Sequence, residues 1–368
     1  MLFRDTWAEI RLDRIEQNIK ILQAVSRKDF FAVIKANGYG CSDEYIAKVA
    51  SECGAAYLAV SSLDEALYLK NKGVFTNILV LEYIPPQALS IACKNGITAT
   101  ASSLNWVKEA INTDITGLKV HIKYDTGMNR IGFKTIKELN EGIHLLQNCG
   151  VDIEGIYTHF ACADSEDNLK CKEQIEYFQK AISSQNCSFR WIHCSNTDAA
   201  VHFNDNTSNA VRYGIGMLGV SSYNLNLKPV VSLYSRIVHI KQVKQGESIG
   251  YGLSYHAVQD EWIATIPIGY ADGWIRKNQG RCCVVNGCEC EFVGKICMDQ
   301  AMVRVPQPYP IGTIVELIGE HMPIDRVAKE LDTIPYEVMT LISDRVTRQY
   351  CTNIGIIDTL NRRFSKEL

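Results

Sequence analysis

The chain has 368 residues, of which 46% are hydrophobic and 21% charged, and this composition excludes disordered and fibrous classes. The length is sufficient for two domains. A formal net charge of −3 gives no electrostatic reason to expect binding to nucleic acid or to an anionic membrane surface. A small-molecule function is therefore favoured.

The absence of targeting signals and the spacing of the cysteines indicate the cellular location of the chain and the state of its thiols. No apolar run reaches the roughly 18 to 20 residues that span a bilayer, and the start MLFRDTWAEIRL lacks the basic flank and apolar core of a signal peptide. We expect a soluble, cytoplasmic chain that does not itself contact a membrane. The 14 cysteines form no two spaced CxxC pairs, so free thiols are favoured, with a metal or redox site as the alternative. No metal ligand is assigned.

The first predicted element is an amphipathic helix in the segment DRIEQNIKILQAVS. Asp13 is placed to cap its start. Further along the chain, Ser62 and Glu65 have the spacing of a capping box and predict the start of a later helix. The apolar residues of the first helix recur at helical spacing and should share one buried face: Ile15, Ile19, Leu22 and Val25.

Short apolar segments alternate with such helices over the first part of the chain. Eight of them are predicted strands: FFAVI, AYLAV, ILVLE, ITATA, KVHIKYD, DIEGIYTHF, FRWIHCS and AVRYGIG. Eight βα units within about 200 residues close a parallel barrel, whereas an open doubly wound sheet usually has fewer strands. The sequence therefore predicts an α/β fold, an eight-stranded (β/α)8 barrel of the TIM type, over residues 1–228.

After residue 228 the pattern changes to strands separated by Gly, Pro and Asn turns, with PVVSLYSRIVHIKQV and EWIATIPI as examples. Helical periodicity returns only at DRVAKEL. We predict a mainly β C-terminal domain over residues 229–368, with about the first 10 residues of the chain pairing with it.

Chemically informative residues follow several of the predicted strands, and the active site of a parallel barrel lies at the carboxyl ends of its strands. Lys35 leaves the first strand. A lysine that leaves an apolar strand is desolvated, which makes its neutral amine available for a Schiff base or for general-base catalysis. A lysine at the solvated rim is the alternative.

Groups suited to a phosphate lie close to Lys35 in this prediction. The ANGYG turn offers backbone amides and the hydroxyl of Tyr39, and the loops after strands seven and eight offer Thr197 with the amides of Gly214 and Ile215. Together these groups indicate a phosphorylated carbonyl cofactor bound to Lys35.

Arg212, on the eighth strand, has a specific meaning if that cofactor is pyridoxal phosphate. Facing the pyridine nitrogen, a cation would keep the nitrogen unprotonated and favour simple removal and return of a proton. An arginine paired with a carboxylate is the alternative. His159 and His193 also end strands, and a purely structural role is the alternative for each.

These residues resemble those of the alanine racemase family of pyridoxal 5'-phosphate enzymes. The resemblance extends along nearly the whole chain through DTWAEIRLDRIEQN, AVIKANGYG, KYDTGMNRIGF, YTHFACAD, VRYGIGMLG, IPIGYADGW and VGKICMDQ. It implies a homodimer whose active sites take residues from both subunits. It also implies an amino-acid racemase that supplies D-amino acids for peptidoglycan precursors.

By this resemblance Lys35 is the Schiff-base lysine and the base on one face of the substrate, and Tyr255 of the partner subunit is the base on the opposite face. His159 supports that tyrosine, and His193 supports Arg212. The implied cofactor contacts are Tyr39, Arg130, Asn196, Thr197, Gly214 and Ile215. The implied substrate contacts are Arg130 and the backbone amide of Met298, with Asp299 and Lys123, a site of frequent carbamylation, in supporting positions.

Asp344 departs from the family pattern, because a tyrosine that contacts the phosphate and crowds the substrate usually stands there. A shorter acidic residue opens space beside the substrate's β-carbon, and its oxygens could accept a hydrogen bond from a serine hydroxyl. Arg345 is the expected cation that offsets its charge. The polar replacement resembles VanT-type serine racemases of vancomycin resistance, in which the racemase is joined to a membrane domain. We therefore expect activity on serine, alanine or both, in a free enzyme or an excised cytoplasmic domain.

Several other functions are alternatives to a serine racemase. One is a housekeeping alanine racemase with little serine activity. A pyridoxal phosphate decarboxylase of the same fold fits less well, because such enzymes place a carboxylate by the pyridine nitrogen, where this chain has Arg212. A non-catalytic cofactor-binding protein would lack the domain that carries Tyr255, and cofactor-free aldol chemistry at Lys35 would leave the phosphate cradle unexplained.

Overall fold

The computed structural model describes residues 3–163, 169–203 and 205–361. The chain divides into two compact units, one of residues 15–228 and the other of residues 1–14 with 229–368. None of the helices in the described ranges combines the length and the hydrophobicity of a membrane span. All fourteen cysteines are free thiols.

Unit 15–228 contains a closed barrel of eight parallel strands, which confirms the fold predicted from the sequence. Its strands are β2 (Asp29–Val33), β3 (Tyr57–Val60), β4 (Ile78–Val80), β5 (Ile97–Ala101), β6 (Lys119–Lys123), β7 (Asp152–Tyr157), β8 (Trp191–His193) and β9 (Ala210–Tyr213). The helical segments up to this point in the chain are α1 (Leu12–Ser26), α2 (Lys35–Tyr39), α3 (Asp43–Glu52), α4 (Leu63–Asn71), α5 (Leu89–Lys94), α6 (Leu104–Ala110), α7 (Ile136–Asn148), α8 (Leu169–Ser183) and α9 (Thr197–His202). The barrel closes where β9 pairs with β2, with Arg212 opposite Phe31.

The barrel interior combines an apolar cluster with buried polar side chains. In the apolar cluster, the ring of Phe31 lies 4.9 Å from that of Tyr57 and 5.3 Å from that of Trp191. Polar groups withdrawn from water must find hydrogen-bond partners inside the protein. Such buried side chains include His121, Lys123, His193 and Arg212.

The first helix differs in detail from the sequence prediction. Helix α1 begins at Leu12, so Asp13 lies within its first turn instead of capping it, and the Asp13 carboxylate pairs with Arg11 at 2.6 Å. Val25, predicted to be buried, is 43% exposed because it lies in the last turn of α1. The other apolar residues of that face are buried as predicted: Ile15, Ile19 and Leu22.

The second unit is mainly β structure, as predicted. Its strands are β1 (Thr6–Arg11), β10 (Val231–Arg236), β11 (His239–Val243), β12 (Ser248–Ile249), β13 (Tyr255–His256), β14 (Glu261–Ile266), β15 (Cys282–Val285), β16 (Cys288–Glu291), β17 (Ala301–Val305), β18 (Ile314–Ile318), β19 (Thr347–Thr352) and β20 (Gly355–Leu360). Its helices after residue 229 are α10 (Ile324–Leu331) and α11 (Pro335–Leu341).

Three sheets make up the described part of this unit. The largest has the order β16-β15-β18-β10-β1-β19-β20, and the smaller ones are β11-β14-β17 and β12-β13. The N-terminal strand β1 is antiparallel to β10 and parallel to β19. The long segment PVVSLYSRIVHIKQV forms two strands, because the chain passes from the large sheet to the three-stranded sheet between β10 and β11.

Candidate active site

Lys35 is half-buried and lies two residues after the end of the first barrel strand, at the start of an unusual backbone turn. The next four residues, Ala36 to Tyr39, all have φ between 53° and 60° and form one turn of left-handed helix. Left-handed backbone costs roughly 1–2 kcal/mol for each residue other than glycine. This strain must be offset by contacts elsewhere.

Glu65 of helix α4 supports this turn. Its Oε1 accepts the Ala36 N–H at 2.8 Å, and its Oε2 accepts the Ser61 N–H at 2.8 Å. The predicted capping box is therefore half correct. The Ser62 hydroxyl does accept the Glu65 N–H, but the Glu65 carboxylate bonds Ala36 and Ser61 instead of the Ser62 backbone. One carboxylate thus joins the start of α4 to the residue after Lys35.

Three of the predicted phosphate contacts are neighbours. The Gly214 N–H donates to Thr197 Oγ1 at 3.1 Å, and Tyr39 is buried beside them. A Cβ atom on Gly214 would lie 2.6 Å from Tyr39 Oη, and one on Gly216 would lie 2.3 Å from Thr197 Cγ2. Only glycine permits both approaches, and Ile215 follows at the start of a 3-10 turn. The result is a small cradle of hydroxyls and backbone amides.

Asn196 and Arg130 have different surroundings. The side-chain oxygen of Asn196 accepts the Ala199 N–H at 3.0 Å and so caps helix α9. Arg130 is exposed and forms no hydrogen bond or ion pair with the described residues. Its charge nevertheless acts on Lys123 and His159, where it lowers the pKa of each together with burial, the larger cause.

Arg212 is almost fully buried and donates four hydrogen bonds. Its Nη1 donates to His193 Nδ1 at 2.8 Å, and the two hydrogens of its Nη2 are shared among His159 Nδ1 at 2.9 Å, Thr158 O at 2.9 Å and Cys194 O at 2.8 Å. Its partners are therefore imidazoles and carbonyls, not a carboxylate. Burial lowers the pKa of Arg212 to about 10, so the side chain is a cation at neutral pH.

The two histidines beside Arg212 are neutral. Burial, and next the charge of Arg212, hold the pKa of both His159 and His193 well below the ordinary value. Each offers its Nδ1 lone pair to the guanidinium. The structure therefore brings Arg212 and both histidines together.

Lys123 is 2% exposed and lies in the same interior. Its ammonium donates to the Tyr124 carbonyl at 3.2 Å and lies 5.3 Å from the centroid of the Tyr157 ring. Burial, and then the charge of Arg212, lower the pKa of Lys123 to about 7, while Asp125 acts in the opposite direction. A large fraction of this amine is therefore neutral at pH 7 and able to react as a nucleophile.

Through Lys123, the stability of the protein is expected to rise between pH 7 and about 10.5. In this window the unfolded lysine, with a pKa of 10.5, binds a proton that the folded one has lost. The free energy of unfolding then rises by up to about 1.4 kcal/mol per pH unit. Lys123→Met keeps an unbranched chain but removes this titration, so the variant should lack the Lys123 contribution and its stability should rise less over this window than that of the unmodified protein. Urea unfolding in carbonate-free buffer at both ends of the window measures it, and an equal rise in both proteins would contradict the assignment.

Tyr255 lies in the second unit, on strand β13. Its hydroxyl donates to the Glu261 carboxylate, with oxygens at 2.9 and 2.8 Å, and accepts from Arg304 Nη1 at 3.0 Å. Arg304 Nη2 also pairs with Glu291 at 2.6 Å. Burial raises the pKa of Tyr255, the Glu261 carboxylate raises it further, and Arg304 opposes both. The hydroxyl of Tyr255 is thus held between an anion, Glu261, and a cation, Arg304.

The remaining predicted residues lie in the second unit as well. Met298 is 53% exposed, and Asp344 is exposed. Arg345, the expected counter-charge of Asp344, forms ion pairs with Asp299 at 2.6 Å and with Asp272 at 3.6 Å. Its charge is therefore shared with two other carboxylates.

Sequence reasoning missed three buried residues of the barrel interior. His121 Nδ1 lies 2.9 Å from His193 Nε2, and Glu154 and Tyr57 lie beyond it. One signal was available, because Lys119, His121 and Lys123 alternate along β6 and residues two apart in a strand share a face. Glu154 had no such signal, since an isolated glutamate in a strand is ordinarily placed on the solvent side.

A strand-end lysine, a cradle of hydroxyls and amides, and a buried arginine inside a parallel barrel are typical of barrels that hold a phosphorylated ligand. Residues 10–222 match the family model described as alanine racemase, N-terminal domain, and residues 230–350 match alanine racemase, C-terminal domain. Alanine racemase 1 of Bacillus subtilis (strain 168) is 40% identical over 374 residues, which cover 98% of this chain and 96% of that protein.

Solved structures are similar over nearly the whole chain. Alanine racemase from Bacillus anthracis with bound L-Ala-P has a TM-score of 0.94 at 38% identity, with 98% of both chains covered. Histidine racemase from Leuconostoc mesenteroides subsp. sake has a TM-score of 0.89 at 30% identity, with 95% of this chain and 99% of that chain covered. The chain belongs to the alanine racemase family, whose members depend on pyridoxal 5'-phosphate.

Proposed function

We propose that this protein is an amino-acid racemase that exchanges the substrate's α-proton between two bases, Lys35 on one face and Tyr255 of the partner subunit on the other. The observation that carries the proposal is the buried cation of Arg212, held only by acceptors. A guanidinium can donate but not accept, so a ring nitrogen facing it stays unprotonated. This favours removal and return of a proton over decarboxylation, for which a carboxylate at that place is better suited.

The residues fit pyridoxal phosphate. The cradle of Tyr39, Thr197, Gly214 and Ile215 offers hydroxyls and amides to a phosphate, and the absence of a side chain at Gly214 lets the Tyr39 hydroxyl approach the backbone there. Lys35 supplies the amine for the aldehyde, and Asn196 orders α9 at the edge of the cradle. When bound, the cofactor supplies the electron sink that acidifies the substrate's α-proton. Purified protein that is colourless and does not respond to added pyridoxal phosphate would overturn this assignment.

The two bases need different support. Lys35 is oriented by the left-handed turn that Glu65 holds. Tyr255 must carry a negative charge to act as a base, and Arg304 stabilises that phenolate while Glu261 favours the neutral phenol. We propose that a homodimer places Tyr255 of one subunit opposite Lys35 of its partner, with His159 as an additional support.

The substrate carboxylate is assigned to Arg130 and to the backbone amide of Met298. Arg130 is free to turn toward a ligand, since it has no ion pair with the described residues. A carbamate on Lys123 would neutralise part of the charge of Arg130 and orient its guanidinium. Burial is the main cause of the lowered pKa of Lys123, which supplies the neutral amine that carbamylation requires. Asp299 would act indirectly, through its ion pair with Arg345.

Alanine is the favoured substrate because relatives named alanine racemase match nearly the whole chain. The similar fold of a histidine racemase indicates that the side-chain pocket, not the fold, decides the substrate. Serine activity, with a role in peptidoglycan precursors or vancomycin resistance, rests on the exposed carboxylate of Asp344. A chiral product assay with L-alanine and L-serine side by side tests catalysis and substrate together.

Replacing Asp344 with tyrosine is expected to lower the serine-to-alanine ratio of kcat/KM by at least about tenfold, the effect of a lost substrate hydroxyl contact. Added bulk beside the β-carbon should act in the same direction. Asp325→Tyr, at an exposed position in the first turn of α10, is the matched control and should leave the ratio unchanged. Serine specificity fails if the unmodified protein strongly prefers alanine and Asp344→Tyr does not alter the ratio.

A further inference from the structure

A row of side chains crosses the barrel interior from Arg212 to Glu154. Arg212 Nη1 lies 2.8 Å from His193 Nδ1, and His193 Nε2 lies 2.9 Å from His121 Nδ1. His121 Nε2 then lies 3.9 Å from Glu154 Oε2. Both histidines are fully buried and Glu154 is buried, so water cannot replace any member of the row.

The direction of the hydrogen bonds follows from the arginine end. Because a guanidinium only donates, His193 Nδ1 must accept. Burial holds the pKa of His193 and His121 below the ordinary value, so each is neutral and carries one proton. His193 then has its proton on Nε2 and donates to His121 Nδ1, and His121 must have its proton on Nε2. This N–H points out of the row toward Glu154.

The Glu154 end of the row is an acceptor. His121 Nε2 has no hydrogen-bond partner among the described residues, and the Glu154 carboxylate is the charged group that faces it. Burial would raise the pKa of Glu154, but His121, Tyr57 and Lys119 together hold it at about 2. The Tyr57 hydroxyl donates to Glu154, and Lys119 and Arg190 lie 3.5 and 3.4 Å from it. Glu154 is therefore an anion that can only accept.

We propose that Glu154 is a positioning residue for Arg212, because its carboxylate holds His121 and His193 in the tautomers that leave a lone pair facing the guanidinium. This inference rests on the proposed placement of the cofactor ring beside Arg212. Without the anion, His121 can carry its proton on Nδ1. Two N–H groups, those of His121 Nδ1 and His193 Nε2, would then face each other with no acceptor between them. Either the His193–His121 hydrogen bond is then lost, or His193 moves its own proton to Nδ1 to accept from His121, and in that case Arg212 loses one of its two imidazole acceptors.

The carbonyls of Thr158 and Cys194 still hold Arg212 when this acceptor is lost. The expected change is therefore in the direction of the guanidinium donors and not a collapse of the site. Such a change should affect the chemical step and the cofactor spectrum more than substrate binding.

Nitrogen-15 NMR of the holoenzyme, labelled at its eight histidines, tests this inference. In the unmodified protein, His121, His159 and His193 are expected to be neutral with the proton on Nε2. In Glu154→Gln, the His121 signals should report a changed tautomer population, the cofactor absorbance should shift, and kcat should fall more than about tenfold with little change in KM. Glu154→Asp should restore much of kcat, and Asp152→Asn, an exposed carboxylate on the same strand, should behave as the unmodified protein.

Two results would overturn the inference. One is a proton on Nδ1 of His121 in the unmodified protein, a measurement that does not depend on whether any variant folds. The other is a Glu154→Gln protein with unchanged tautomers and an unchanged cofactor spectrum. An unmodified protein that has the expected tautomers but no racemase activity supports the row and contradicts the proposed function, so the two failures are distinguishable.

Discussion

Replacing Lys35 with alanine is expected to lower kcat/KM for racemisation by at least about a thousand-fold. Loss of one positioned acid-base group alone costs roughly a hundred- to ten-thousand-fold, and this variant also loses the proposed covalent anchor of the cofactor. The backbone turn after Lys35 is held by Glu65 at Ala36, so the barrel should keep its fold. Steady-state racemisation and the absorbance of the lysine-bound cofactor measure the two losses separately.

Lys94→Ala is the matched control for this variant. Lys94 is an exposed lysine in the last turn of α5, and its removal should change neither rate nor absorbance. A Lys35→Ala protein that retains most of its racemisation rate while its circular dichroism is unchanged would exclude Lys35 as a base.

Tyr255→Phe is expected to lower racemisation by roughly a hundred- to ten-thousand-fold while leaving one half-reaction intact. In deuterated water, the enantiomer whose α-proton Lys35 removes should still exchange that proton, but without inversion. The other enantiomer should exchange slowly. Phenylalanine keeps the ring, and Arg304 can still pair with Glu261, from which it lies 3.5 Å away, so local structure should persist.

The control for this experiment is Tyr177→Phe, which changes an exposed tyrosine on α8. It should leave both exchange rates unchanged. If Tyr255→Phe slows exchange of the two enantiomers equally, a two-base mechanism with one base on each face is wrong for this protein.

Local sequence patterns predicted much of the fold and part of the site. The eight barrel strands are short apolar segments with turns between them, and such patterns depend only on neighbouring residues. Because parallel strands end at the same edge, the sequence alone predicts that Lys35, His159, His193 and Arg212 lie at one edge of the barrel. In the structure, Arg212 contacts both His159 and His193.

The carboxylates that hold the site could not be predicted in the same way. Glu65 forms a hydrogen bond with a residue 29 positions away, and Tyr57 forms one with Glu154 across 97 positions. A pattern of neighbouring residues cannot predict either contact. Glu261 is only six residues from Tyr255, yet the pair depends on how the chain turns between β13 and β14. Val25 follows the helical period, but it lies in the last turn of α1, beyond the part of the helix that is buried against the rest of the protein.

The left-handed turn after Lys35 restricts which sequences this position can tolerate. Ala36 and Asn37 have φ of 53° and 54°, a region that β-branched residues avoid. Valine, isoleucine or threonine should therefore be rejected at both positions even though neither side chain has a proposed chemical role. In a saturation mutagenesis experiment these two positions would therefore reject β-branched residues, as if their side chains were needed for function. Intolerance to substitution here reports backbone geometry, and it should not be taken as proof that a side chain contacts the ligand.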